Sequence, residues 1–103
     1  MLVKEVKAKY ADKYDEHGLH YHKFIPMEIP GHGKVVVVVT FQRSHDYWRA
    51  RHYQNYWYNV HAIWRLSDGL NLQGGRNYWE SVGMSHNLED IPGIVTEFVN
   101  RKY

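Results

Sequence analysis

The chain contains no cysteine. That excludes disulfide frameworks, thiolate metal sites, cysteine nucleophiles and thiol redox chemistry together. No apolar run approaches the roughly 18–20 residues that span a bilayer, and the longest, Val35–Val39, holds five valines. Proline is scarce, three in 103 residues, and no linker-like, low-complexity or repeated tract interrupts the chain. One domain over residues 1–103 is therefore expected. The segment Met1-Leu-Val-Lys-Glu-Val-Lys mixes charge and apolar side chains too finely for a signal peptide. A cytoplasmic protein without membrane attachment is expected, with homo-oligomerisation left open. Catalytic signatures are missing as well. Ser44, His45 and Asp46 are adjacent in sequence and point apart, so they form no triad. Gly74-Gly75-Arg76 lacks the Lys-Ser/Thr ending of a phosphate-binding loop, and its glycines suit a bulge better than an anion cradle. The sequence shows no enzyme.

Charge of one sign is scarce overall, with a formal net charge of +2, but its distribution is uneven. Residues 1–33 carry five lysines and five acids, residues 34–79 six basic residues against two acids, and residues 80–103 two against four. The basic middle is also where aromatic residues concentrate.

Coarse periodicity gives an α+β domain: an antiparallel sheet of about four to five strands with a C-terminal helix on one face. Residues 2–10 fit period two slightly better than helical spacing, so a strand is expected there. His20 to Ile29 alternates, but Pro26 and Pro30 cannot donate to a ladder, which makes it an edge strand or one broken at Pro26. After the reversal Pro30-Gly31-His32-Gly33, Val35 to Phe41 has the pattern of a strand buried on both faces. Ser44 can cap a helix. From Tyr56 to Ser67 the period is two, with Tyr56, Tyr58, Val60, Ala62, Trp64 and Leu66 on one face. Ser67-Asp68-Gly69 is a hairpin-type turn leading to a return strand within Leu70 to Val82. Ser85 or Asn87 then caps a helix carrying Leu88, Ile91, Ile94, Val95, Phe98 and Val99.

What the chain has in abundance is histidine, eight residues, and aromatic rings: nine Tyr, four Trp and three Phe. Residues 43–65 hold seven of those rings, four arginines, three histidines and a single acid, Asp46. Arginine pairs bidentately with phosphate, and Tyr and Trp stack on unpaired bases. The segment therefore suits single-stranded nucleic acid, RNA or DNA, with Arg43, Trp48, Arg49, Arg51, His52, Trp57 and Arg65 as contact residues. Tyr47 and His61 are further exposed candidates. Rings on the Val60 face belong to the core instead. The same composition suits a protein partner, as in a small regulator or inhibitor of the kind viruses and mobile elements encode.

A second constellation is His17-Gly-Leu-His20-Tyr-His22. On a strand, His20 and His22 share a face about 6.5–7 Å apart. Two imidazoles so placed can converge on one divalent metal, with His17 or Glu28 adding a ligand; exposed histidines with no ligand are the plainer reading. His-x-His on a strand resembles the metal motif of the HUH endonucleases, the rolling-circle replication and mobilisation nucleases. That resemblance implies a metal-dependent phosphodiesterase in which two histidines hold Mg²⁺ or Mn²⁺ and a tyrosine attacks the DNA phosphate. It covers three residues, and the only Tyr-x-x-Lys, Tyr10-Ala-Asp-Lys13, precedes the histidines instead of following them. No cofactor other than such a metal is implied.

Overall fold

Valine-rich, doubly buried sequence makes the centre of the sheet. The computed structural model describes residues 1–10, 20–43, 56–73 and 82–103. In them, strands β1 (His20–Ile29), β2 (Gly33–Arg43), β3 (Tyr56–Arg65) and β4 (Met84–Ser85) form one sheet in the order β1-β2-β3-β4. Each neighbouring pair is antiparallel. Helix α1 (Val3–Lys9) precedes the sheet and helix α2 (Ile91–Lys102) ends the chain, preceded by a 3-10 turn at Leu88–Asp90. The α+β architecture expected from the sequence is the one observed.

The valines of β2 alternate between two cores. Val35, Val37 and Val39 join Ile29, Val60, Ile63 and the α2 residues Ile91, Val95, Phe98 and Val99. Val36 and Val38 join Val6 of α1 and Ala62. All five valines of β2 are fully buried, because a helix covers each face. Residues 2–10 are thus not a strand, as the alternation suggests, but mainly helix α1. Val3, Val6 and Tyr10 point to the sheet at helical spacing, while Lys4, Glu5, Lys7 and Lys9 face outward. A seven-residue helix is not stable alone, so burial of Val6 decides the outcome. The Glu5 carboxylate accepts the Leu2 N–H at 3.2 Å and closes its first turn.

β1 runs unbroken through Pro26, which lies opposite Val36. An edge position tolerates the missing donor. In β3 a bulge changes the expected faces. Val39 pairs with Val60 and Val38 with Ala62, leaving His61 as the extra residue. Tyr58, Val60 and Ile63 therefore belong to the α2 side, whereas Ala62, Trp64 and Leu66 belong to the α1 side. The single face drawn from Tyr56 to Leu66 is split at residue 61.

The Leu66–Asp68 turn follows β3, and Arg65 N–H donates to the Leu70 carbonyl at 2.8 Å. Among the described residues of the return segment, Asn71 bridges to Trp64 and Leu72 N–H donates to the Ile63 carbonyl at 2.7 Å; residues 74–81 of the strand expected over Leu70 to Val82 lie outside the described residues. Asn71 Oδ1 accepts the N–H groups of Ile63 and Gln73. Met84–Ser85 pairs with Tyr58 and Asn59, and Val60 N–H donates to the Gly83 carbonyl at 3.2 Å. Ser85 lies in β4, outside the start of the last helix: its Oγ accepts the Asn87 N–H and donates at 2.7 Å to Asp90, the N-cap residue of α2. Asn87 makes no side-chain cap bond. The helix expected after Ser44 and the Gly74-Gly75 bulge lie outside the described residues.

Candidate functional site

The face of the sheet that carries α1 changes character along its strands. At one end it is apolar, where Val36, Val38, Ala62 and Trp64 lie under the helix. Beyond Tyr10, which follows the helix, successive rows across β1, β2 and β3 become His22–Thr40–Asn59 and then His20–Gln42–Trp57. The bulge adds His61 to this side. Its ring lies 5.7 Å from that of His22, and the Tyr10 ring contacts both, at 5.1 Å from His22 and 5.7 Å from His61. Tyr10 is itself fixed, because Trp64 Nε1 donates to its hydroxyl at 3.0 Å. His22 and Trp57 are half-buried and His61 is exposed.

The structure thus brings two residues predicted from the sequence, His22 and Trp57, onto one face in adjacent rows, and the backbone of His20 pairs with Gln42 in the row of Trp57. Arg43, the end residue of β2, pairs in the register with Tyr56, whose ring lies on the α2 side. There Phe41, Tyr56 and Tyr58 form a separate ring cluster, with Phe41 and Tyr58 5.1 Å apart. His86 Nδ1 donates to the Tyr56 carbonyl. Arg65 stands at the other end of β3 from Trp57, eight residues or about 26 Å along the strand. Trp48, Arg49, Arg51, His52 and His17 lie outside the described residues.

Arg65 is also engaged electrostatically. Its Nε and NH2 groups donate to the two carboxylate oxygens of Asp68 at 3.0 and 2.6 Å. That fork, together with the Leu70 N–H, lowers the Asp68 pKa to about 2. The hydrogen bond that the guanidinium donates to Asp68 raises the Arg65 pKa in turn. A guanidinium held in this way has less to offer a phosphate.

Exposed cations on this side of the sheet come from α1, which the sequence reading did not assign to a site. Lys4, Lys7 and Lys9 are exposed. Lys7 Nζ lies 5.8 Å from the centre of the Phe24 ring and Lys9 Nζ 5.3 Å from that of Trp64. Tyr10 was likewise missed. The available signal was the helical spacing of Val3, Val6 and Tyr10, which puts the lysines on the opposite, outer side.

Among the described residues no group of three or more His, Asp or Glu side chains stands ready to hold a metal ion. No helix of the described residues is long and apolar enough to cross a membrane. Comparisons of the chain with protein families, curated proteins and solved structures find no match.

Proposed function

We propose that this protein binds single-stranded nucleic acid on the α1 side of its sheet. The observation that carries the reading is one of position. Trp57 shares a sheet face with His22 and His61, and the exposed lysines of α1 flank that face. An aromatic ring and imidazoles on a sheet offer stacking surfaces to unpaired bases, and lysines beside them pair with the phosphate backbone. A net charge of +2 is low for a protein that coats duplex phosphates, so stacking with a few phosphate contacts is the mode that fits. Arg65, paired with Asp68, becomes a poor contact in this reading, and Lys7 and Lys9 replace it.

Titration with short pyrimidine and mixed oligonucleotides at low salt, followed by intrinsic tryptophan fluorescence, tests the reading. Stacking on Trp57 should quench emission, and Trp57→Phe should remove most of that quenching. Trp57→Ala should weaken binding by about 1–3 kcal/mol. Absence of any binding tighter than about 0.1 mM, the weak end of non-specific affinity, would reject nucleic acid and leave the protein-partner alternative.

A further inference from the structure

A β-bulge re-aims side chains, and in β3 the residue it adds is a histidine. Regular alternation cannot place residues 61 and 62 on one side of a sheet. Here Ala62 enters the α1 core while the His61 ring contacts Tyr10 and His22 on the same side. Two imidazoles from non-adjacent strands are thereby set beside each other with ring centres 5.7 Å apart. Two imidazoles bound to one tetrahedral ion, with metal–nitrogen bonds near 2.0–2.1 Å, have centres about 5 Å apart. The difference is within reach of a small side-chain rotation by His61, which is exposed.

We propose that His22 and His61 form a binding site for a divalent transition-metal ion of the zinc, nickel or copper class, with water completing the coordination. The donor set selects that class, since neutral imidazole suits these ions and not magnesium or calcium, which prefer oxygen. Tyr10 acts as a positioning residue: its ring packs on both imidazoles and its hydroxyl is held by Trp64. The site differs from the one expected from the sequence, His17 with His20 and His22, because the second donor comes from β3. The inference is independent of nucleic-acid binding and is measured without any oligonucleotide.

The test is a titration of tag-free protein with zinc chloride and, separately, nickel chloride, followed by histidine side-chain NMR and calorimetry. The expected result is saturation near one equivalent, with the imidazole signals of His22 and His61 shifting and those of His32 and His86 unmoved. His61→Ala, at an exposed position, should leave the fold intact and weaken binding tenfold or more, the scale of losses seen when metal sites are perturbed. His22→Ala, with folding checked by amide NMR, should do the same. Binding should also weaken in acid, because protons compete for the same nitrogens. No saturation by about 1 mM metal, where binding free energy is only about 4 kcal/mol, would overturn the proposal. So would equal weakening by His32→Ala or His86→Ala, which would mark diffuse binding by surface histidines.

Discussion

Gly83 lies in the connection that enters β4, with a φ of +146°, and a Cβ placed on it would meet Ile94 Cγ2 of α2 at 2.7 Å. The position combines a backbone conformation closed to most residues with a close approach to a packed helix. Gly83→Ala should therefore cost about 1–3 kcal/mol of stability, measured by urea denaturation. A midpoint equal to wild type would contradict this packing. Val37 is fully buried in the α2-side core. Val37→Asp would place an unpaired carboxylate there at a cost of several kcal/mol and should abolish cooperative folding. A cooperative melt near that of wild type would show that β2 is not central. Asp68 makes a pH prediction. Its pKa is lowered from 3.8 to about 2 by the Arg65 fork, so the interaction is fully present above the ordinary aspartate range and is lost as pH falls toward 2. Carboxylate NMR of Arg65→Gln should show the Asp68 midpoint moving up toward 3.8, and an unmoved midpoint would remove Arg65 as the cause.

The elements differ in how far they could be read from the sequence. β2 was legible because its β-branched run satisfies both faces at once. The final helix was legible because Ile91, Val95, Phe98 and Val99 keep one stripe over three turns. Helix α1 was not, since within so few residues period two and period 3.6 select overlapping sets. Only the contact of Val6 with Val36, Val38 and Ala62 separates them. Val6→Ala should accordingly lower the unfolding free energy by about 1–3 kcal/mol; an effect below about 0.5 kcal/mol, typical of surface sites, would mean that α1 does not hold to the sheet. The β3 bulge was illegible for another reason. No glycine marks residues 60–62, and the extra residue is apparent only from the register against β2. That one residue divides the aromatic segment. Tyr58 goes to the α2 core and Trp64 to the α1 core, and His61 meets His22.

At the scale of the whole molecule, the two faces of the sheet have different chemistry. The α2 side buries the larger apolar cluster and a tyrosine-rich edge. The α1 side passes from a small valine core to a histidine- and tryptophan-bearing end beside a lysine-rich helix. The sequence reading found the basic, aromatic character of residues 43–65 but apportioned it by unbroken alternation, with Tyr58 and Trp64 on one face, and it did not assign the exposed lysines of α1 to the site. If nucleic acid uses this side, replacing Lys4, Lys7 and Lys9 together by Gln should flatten the dependence of log affinity on log salt by about 2, at roughly 0.7 per phosphate contact on a single strand. The most direct test of the central claim is an amide and side-chain NMR footprint of a pyrimidine oligonucleotide titrated at low salt. The account predicts shifts gathered at Lys7, Lys9, Tyr10, His22, Trp57 and His61, with Phe98, Tyr56 and Tyr58 little changed. Shifts centred on the α2 side, or none at saturating oligonucleotide, would contradict it.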